Sequence, residues 1–402
     1  MNALREFRDT SFIKIVTGIR RCGKSTLLKL FSGELRQSGV DEAHILEINF
    51  ESMRYRDILH YLSLYDYVKA KMPELGKTYL FFDEIQMVRD WQRAIDSFCV
   101  DFDVDIYVTG SNAYFLSSEF ATLLSGRCVE IRMLPLSFHE FLDFYAFGPS
   151  IGLEEKFQTY LKFGGMPAIH EIGFNEPRVN DMLEGVYSTV ILKDVMERNK
   201  LTDQTLLRKI VTFLADNLGN VTSPNSISKV LANEGRAGVR EQRKAPASRT
   251  VDNYIEMLQN AFIFYGASRY DIKGKQLLKT LNKYYIVDIG IRNMLLGYRN
   301  MDRGHILENV VYLELLRRGY RVFIGKAGEK EIDFVAERPS DRKYIQVAET
   351  LAGEETRSRE LEPLRSVADN YEKIVLSMDR SFIQSYDGIK AVNIIDYLLS
   401  DN

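Results

Sequence analysis

The stretch Gly18-Ile19-Arg20-Arg21-Cys22-Gly23-Lys24-Ser25 decides the fold of this chain, because it matches the pattern G-x-x-x-x-G-K-[ST] at every fixed position. An apolar run at residues 12–17 precedes it and an apolar helical pattern follows, which predicts a strand, a loop and a helix. Glycines in such a loop allow backbone N–H groups to converge on phosphate oxygens, and the N-terminus of the helix adds partial positive charge. The stretch therefore predicts a site for the phosphates of a nucleotide.

The side chains of this loop have expected roles in binding Mg²⁺ and ATP. Lys24 supplies a mobile positive charge to the terminal phosphates, and the Ser25 hydroxyl is a Mg²⁺ ligand. Arg20 and Arg21 are close to the phosphates, but their side chains can equally face solvent or a neighbouring subunit. The residues that we expect at the phosphates are Gly18, Arg20, Arg21, Cys22, Gly23, Lys24, Ser25 and Thr26.

A second motif, residues 79–84 (YLFFDE), is an apolar run that ends in two acids. In a buried parallel strand, Asp83 lies at the carboxyl end, where such sheets bind ligands, and it can hold Mg²⁺. Glu84 can then polarise the attacking water as a catalytic base. Asn112 follows the next predicted strand and can orient this water or the γ-phosphate. The alternatives are a solvated strand end for the acids and an ordinary polar turn for Asn112.

Strands and helices alternate through the first third of the chain. This alternation predicts an α/β fold with a parallel sheet and helices on both faces. After the strand at 12–17, the predicted strands are residues 44–50, 78–82, 105–109 and 128–133. The β pattern then gives way to helices, and mixed α/β character returns from residue 284.

Composition and charge exclude several classes of protein. Of the 402 residues, 45% are hydrophobic and 27% are charged, which is typical of globular chains rather than disordered ones. The net charge of -3 argues against a globally basic nucleic-acid protein, although a local basic patch is compatible with it. The 3 cysteines lack metal-ligand spacing, and no apolar run approaches the roughly 20 residues of a membrane helix. We therefore expect a cytoplasmic protein outside the membrane.

Together these motifs resemble those of AAA-type P-loop ATPases, specifically a prokaryotic family in which an AAA domain precedes a C-terminal domain of unknown function. The resemblance covers nearly the whole chain and also rests on residues 109–112 (TGSN), 124–127 (LSGR), 134–138 (LPLSF) and 164–167 (GGMP). It implies ATP binding and hydrolysis. It also implies that Arg127 is an arginine finger reaching the γ-phosphate of a neighbouring subunit in a homo-oligomer. Alternatively, Arg127 pairs with an acid such as Glu130.

The middle of the chain predicts three helices, at residues 206–218, 226–231 and 249–259, followed by a strand-like segment. This order resembles a winged-helix domain, of which the third helix enters the major groove in DNA-binding members. Residues 236–249 carry five basic side chains against one acid, Glu241. The candidate DNA contacts are Arg240, Arg243, Lys244 and Arg249. Asp252 and Glu256 would repel phosphates, so a protein-contact role is the alternative.

The last region carries Glu308 in a predicted helix, Asp333 in a predicted strand and Gln346 in the next strand. This layout resembles restriction-endonuclease-like nucleases, in which two acids bind Mg²⁺ and a lysine of an acid-x-Lys motif assists the water. Here that motif reads Gln346-Val347-Ala348. Lys343 is a candidate replacement, but it lies before the predicted strand. We expect a nuclease-like fold whose site, Glu308, Asp333 and Gln346, is degraded or absent.

These observations predict four domains: an ATPase domain at 1–136, a helical lid or linker at 137–200, a winged-helix-like domain at 201–283 and a small α/β nuclease-like domain at 284–402. Three functions stay open. The chain is an ATPase that moves its C-terminal domains, with DNA as a candidate partner; a slow nucleotide-dependent switch or scaffold; or an ATP-regulated nuclease. The acid pair favours the ATPase, since a pure binder does not need Glu84. The missing acid-x-Lys motif speaks against the nuclease.

Overall fold

The computed structural model describes residues 1–113, 126–201, 203–234, 246–299, 302–380 and 383–400. Three predicted DNA contacts, Arg240, Arg243 and Lys244, lie outside these residues. The chain divides into two compact units, Met1–Met133 with Asn260–Phe262, and Leu134–Gln259 with Ile263–Asn402. The boundaries that we predict at residues 136, 200 and 283 are finer than this division and stay predictions.

A parallel sheet forms the centre of the first unit. Its strands are β1 (Ile13–Thr17), β2 (Ile45–Asn49), β3 (Thr78–Asp83), β4 (Val104–Gly110) and β5 (Cys128–Arg132), in the order β2-β3-β4-β1-β5. The described helices of this unit are α1 (Asn2–Glu6), α2 (Lys24–Gln37), α3 (Tyr61–Lys69) and α4 (Trp91–Asp101). Every neighbouring pair of strands is parallel, which confirms the predicted α/β fold.

Helices cover both faces of this sheet because its central strands are apolar on both sides. Along β3, Leu80 and Phe82 belong to the core that includes α3 and α4. Tyr79 and Phe81 belong to the core on the other face, to which α2 contributes Leu28, Phe31 and Leu35. Since all five strands run in one direction, the residues that follow β1, β3 and β4 meet at one edge of the sheet.

The first part of the second unit is helical. Its helices are α5 (Phe138–Phe144), α6 (Leu153–Phe163), α7 (Ile169–Ile172), α8 (Glu176–Thr189), α9 (Gln204–Asp216), α10 (Pro224–Glu234), α11 (Ser248–Asn260) and α12 (Ile289–Leu296). The helix predicted from residue 177 to residue 198 begins as α8 and continues as a π-helix, Val190–Glu197. Within the described parts of the chain, no helix is long and apolar enough to cross a bilayer.

The turn after α6 is held by the start of α12. Asp288, the N-cap of α12, accepts hydrogen bonds from the backbone N–H groups of Gly165 (2.7 Å) and Ile291 (3.2 Å). A Cβ at Gly290 would lie 2.1 Å from the Phe163 carbonyl oxygen, so α12 can approach α6 only with glycine there.

An eight-stranded sheet completes the second unit, together with α13 (Arg303–Arg317), α14 (Glu354–Arg365) and α15 (Ile394–Leu399). Its strands are β6 (Phe264–Asp271), β7 (Gln276–Ile286), β8 (Arg321–Ala327), β9 (Lys330–Arg338), β10 (Asp341–Val347), β11 (Glu372–Ser377), β12 (Ser385–Tyr386) and β13 (Ile389–Asn393). β6 and β7 form an antiparallel hairpin, and β6 also pairs in parallel with β8. The ribbon expected of a winged helix therefore belongs to the same sheet as the strands that carry Asp333 and Gln346.

Candidate functional site

The predicted phosphate loop connects β1 to α2, and three of its residues have positive φ: Gly18 (+151°), Arg21 (+62°) and Gly23 (+103°). A Cβ at Gly18 would lie 2.2 Å from the Met133 carbonyl oxygen, so only glycine fits there. Arg21 adopts the left-handed conformation despite its side chain, at a cost of about 1–3 kcal/mol. Strained backbone of this kind is often found where a protein clamps a ligand.

Lys24 is the first residue of α2 and is buried. Its Nζ donates hydrogen bonds to the carbonyl oxygens of Gly18 (2.9 Å) and Ile19 (3.0 Å), which hold the ammonium against the loop. In the first turn of α2, Ser25 is half-buried and Thr26 is exposed. Lys24, Ser25 and Thr26 thus lie together at the N-terminus of one helix, which favours anions.

Cys22 and the two arginines differ in their surroundings. Cys22 is buried, its Sγ lies 3.7 Å from the Met133 carbonyl oxygen, and burial raises the pKa of its thiol. Arg20 pairs with Glu51 at 3.4 Å, whereas Arg21 is exposed. Cys22 is therefore a buried thiol whose backbone N–H donates to the Ile19 carbonyl oxygen (3.4 Å), and Arg20 already has a carboxylate partner.

A single hydroxyl connects the two acids at the carboxyl end of β3. The Thr109 hydroxyl donates to Asp83 Oδ1 (2.6 Å) and accepts from the backbone N–H of Glu84 (2.8 Å). The side-chain amide of Asn49 donates to Asp83 Oδ2 (2.8 Å). Both carboxylates are buried. Because Thr109 lies on β4 and Asn49 on β2, Asp83 is oriented by hydrogen bonds from the two strands on either side of β3.

Glu84 lies in a setting typical of a catalytic base. Its φ is +54°, and burial raises the pKa of its carboxyl, while the charges of Lys24 and Arg20 act in the opposite direction. The Gln86 side chain donates a hydrogen bond to Glu84 Oε2. A buried carboxylate with a raised pKa is a stronger proton acceptor than an exposed one.

Asn112 and Arg127 lie in different environments. Asn112 follows β4 and is buried. Arg127 is exposed, and its carbonyl oxygen accepts from the backbone N–H of Ile13 (2.8 Å). Glu130 instead accepts from the Thr17 hydroxyl at 2.6 Å. In the part of the chain that the structure describes, no ion pair joins Arg127 to Glu130, its predicted alternative partner.

Sequence reasoning missed the orienting roles of Asn49, Thr109 and Gln86. Thr109 is part of the motif at residues 109–112, but the motif does not indicate which groups its hydroxyl contacts. Asn49 ends β2, directly opposite Asp83 in the register of the sheet. The sequence signal that could have identified such residues is a polar side chain at the carboxyl end of each central strand.

A second polar cluster unites the three residues of the predicted nuclease-like site. Lys283 Nζ, from β7, lies 3.0 Å from Glu308 Oε1 on α13 and 3.4 Å from Asp333 Oδ1 on β9. It also lies 2.9 Å from Glu331 Oε1. The backbone N–H of Asp333 donates to Gln346 Oε1 (3.2 Å) on β10. The structure therefore brings Glu308, Asp333 and Gln346 together, with a lysine that sequence reasoning did not identify.

The lysine at this cluster is not Lys343. Lys343 Nζ pairs with Glu372 at 3.1 Å and with Asp341 at 3.8 Å, so the suggested replacement is wrong. At Lys283, burial acts to lower the pKa, but the charges of Glu308, Asp333 and Glu331 outweigh it and raise the pKa. Lys283 is thus a fully charged ammonium inside the second unit.

Two family models match separate parts of the chain. Residues 10–142 match the AAA domain family, and residues 154–302 match a domain of unknown function, DUF8612. Among solved structures, the chain is similar to the Aeropyrum pernix ORC1 protein in complex with DNA, at 13% identity and a TM-score of 0.30, covering 73% of this chain and 88% of that one. It is also similar to AMPPCP-bound DnaA from Aquifex aeolicus, at 13% identity and a TM-score of 0.28, covering 64% and 90%. At such scores, nothing about function follows from these likenesses.

Two sequence relatives extend over most of the chain. An uncharacterized protein of Methanocaldococcus jannaschii is 28% identical over 362 residues, which are 87% of this chain and 77% of that protein. An uncharacterized protein of Haemophilus influenzae is 39% identical over 401 residues, 99% of this chain and 97% of that protein. With an AAA domain at its N-terminal end, the chain belongs to the same family as this Haemophilus influenzae protein.

Proposed function

We propose that this chain is a Mg²⁺-dependent ATPase that hydrolyses ATP to ADP and phosphate. The observation that carries the proposal is the Thr109 hydroxyl, which orients both Asp83 and Glu84 at the sheet edge that the phosphate loop also joins. A protein that only binds nucleotide needs one acid for the metal. A second buried acid, hydrogen-bonded in place, favours hydrolysis.

Each residue of the site has a distinct part in the proposed reaction. Backbone N–H groups of the loop and the Lys24 ammonium bind the phosphates. The Ser25 hydroxyl and the Asp83 carboxylate are hard oxygen donors and suit Mg²⁺, which supplies positive charge to the phosphate oxygens when it is bound. Glu84 accepts a proton from the attacking water, and Asn112 orients that water or the γ-phosphate.

The test compares nucleotide binding with phosphate release. Lys24→Ala should lose both, whereas Glu84→Gln should keep binding of a fluorescent ATP analogue and lose phosphate release. Glu42→Gln, which alters an exposed carboxylate bonded to Arg36, serves as the matched control and should change neither. Unchanged turnover in Glu84→Gln would remove the catalytic base from the proposal. Wild-type turnover far below the common range of ~1–1000 per second would favour the slow switch.

DNA is our second proposed partner, and one backbone pairing favours it. Thr222, between α9 and α10, exchanges backbone hydrogen bonds of 2.9 and 3.0 Å with Asn282 on β7. The chain order is that of a winged helix. A short bridge follows α9, the helices α10 and α11 come next, and the hairpin after α11 pairs with that bridge. Arg249 at the start of α11 and Lys273 and Lys275 at the hairpin tip are exposed. These positive charges are suited to phosphates.

This second proposal is tested by adding duplex DNA to the ATPase assay at several salt concentrations. We expect DNA to stimulate turnover and the effect to weaken steeply with salt. A triple change of Arg249, Lys273 and Lys275 to alanine should remove the stimulation and leave basal turnover intact. Lys390→Ala, which removes an exposed lysine paired with Glu372, is the control. Equal stimulation of the triple variant and the control would contradict the assignment of this surface.

A further inference from the structure

The nuclease-like layout implies a divalent cation between Glu308 and Asp333, but the side chains present do not fit one. Asp333 Oδ2 accepts from the backbone N–H of Val347 (2.9 Å), and Asp333 Oδ1 faces Lys283 Nζ. Glu308 Oε1 accepts from Lys283 (3.0 Å) and from the Tyr285 hydroxyl (2.7 Å). The ammonium of Lys283 thus contacts one oxygen of each acid and takes up the space in which a cation between them would lie.

Gln346 has partners on both sides of its amide, and the second oxygen of Glu308 is closely packed. Gln346 Oε1 accepts from the backbone N–H of Asp333, and its amide nitrogen donates to Glu360 Oε2 (2.9 Å). Glu308 Oε2 packs against Gly219 so closely that a Cβ there would lie 2.7 Å away. Among the residues that the structure describes, no group of three His, Cys, Asp or Glu side chains is arranged to hold a metal ion.

The charge that a metal would supply comes instead from a side chain. Only 4% of the Lys283 side chain is exposed, against 10% for Glu308 and 12% for Asp333. Its ammonium touches carboxylates from α13 and from two positions on β9. An unpaired acid cluster at this depth is strongly unfavourable, so an internal cation is what allows these carboxylates to be buried.

We propose that the Lys283 ammonium is the permanent cation of this cluster and occupies the place of a divalent metal between Glu308 and Asp333. Being covalently attached to β7, it does not exchange with solvent ions. The cluster therefore works as a metal-free joint between β7, α13 and β9. This inference is independent of the proposed ATPase.

The experiment measures Mn²⁺ binding by electron paramagnetic resonance and calorimetry, on the nucleotide-free full chain. All variants carry Asp83→Asn, which removes the predicted metal ligand of the phosphate site. With Lys283 present, we expect no Mn²⁺ at the cluster. Lys283→Ala should gain one bound Mn²⁺ per chain, together with Mn²⁺-dependent thermal stabilisation, and adding Asp333→Asn should abolish both.

Three controls make the outcome decisive. Lys283→Arg keeps the positive charge and should bind no Mn²⁺. Lys343→Ala removes a lysine that also bridges two acids but is more exposed, and it should gain nothing. Lys283→Met keeps the stem length if the alanine variant folds poorly, and it should likewise gain Mn²⁺-dependent stability. Mn²⁺ bound with Lys283 present and lost on Asp333→Asn would overturn the proposal. So would the absence of any Mn²⁺ effect in both Lys283→Ala and Lys283→Met.

Discussion

Single hydrogen bonds set the chemistry of the candidate nucleotide site. The Thr109 hydroxyl is both donor and acceptor, so its loss affects Asp83 and Glu84 together. The P-loop residues and both acids were predictable from local motifs, because each motif is contiguous in sequence. The bonds that orient them join β2, β3 and β4, and no local pattern identifies such partners.

Thr109→Val should therefore impair both stability and turnover. Valine has a similar shape, but it leaves the Glu84 N–H and Asp83 Oδ1 without their partner. Such buried groups cost about 1–3 kcal/mol in unfolding free energy, which urea denaturation would measure. Thr109→Ser keeps the hydroxyl and should stay close to wild type. Equal losses in the two variants would indicate that packing, and not the hydroxyl, matters.

The buried Glu84 also predicts a pH dependence. Because burial raises its pKa in the folded protein, the folded state disfavours the ionised form. The resulting cost is absent below the pKa of the unfolded chain and grows as the pH rises through the folded pKa. Glu84→Gln should therefore be more stable than wild type near neutral pH and nearly equal to it at about pH 4. Denaturation midpoints at both pH values check this, and a difference that does not vary with pH would contradict it.

Among the secondary-structure elements, the contact of α6 with α12 shows what local patterns leave out. The glycines at residues 164 and 165 directly follow Phe163, the last residue of α6. The reason for glycine lies in distant parts of the chain, because a Cβ at Gly164 would lie 2.3 Å from Asp288 Oδ1 and a Cβ at Gly165 would lie 2.3 Å from the Leu136 carbonyl oxygen. Helices are predictable from apolar spacing, whereas the partner of a turn is set by tertiary packing.

Gly290→Ala should separate these two helices. The new Cβ would meet the Phe163 carbonyl oxygen at 2.1 Å, so the backbone must move, at a cost of about 1–3 kcal/mol or more. Gly185→Ala is the matched control, because Gly185 is an exposed position in α8 with no atom near its added Cβ. There alanine should stabilise by about 0.5–1 kcal/mol through helix propensity. Thermal denaturation of the two variants should therefore shift in opposite directions.

At the scale of the whole molecule, the exposed Arg127 leads to a prediction about assembly into oligomers. If Arg127 acts on a neighbouring subunit, Arg127→Ala and Lys24→Ala should each be inactive alone and regain phosphate release when mixed. One mixed interface would then combine an intact loop with an intact arginine. If the mixture stays inactive although native mass spectrometry shows mixed oligomers, Arg127 does not act on a neighbouring subunit.

The largest gap between sequence and structure concerns how distant strands combine. The hairpin at residues 264–286 and the strands from residue 321 onward were assigned to different predicted domains, yet they form one sheet. Lys283 was missed for this reason, since its acidic partners come from the other predicted domain. Periodicity within one segment can indicate a strand. It does not indicate which distant strand will be its partner in the sheet.

The continuity of this sheet has a mechanical consequence. The hairpin tip near Gly274 extends from β6 and β7, and the part of β6 beside the tip pairs directly with β8. A force on the tip is therefore carried into β8 by backbone hydrogen bonds between these strands. At the other end of β7, Lys283 and Tyr285 donate hydrogen bonds to Glu308 on α13. The β6–β7 ladder is interrupted between Ala267 and Arg269, before it reaches Lys283, so we expect a force on the tip to pass to β8 and the hairpin to bend at this irregularity.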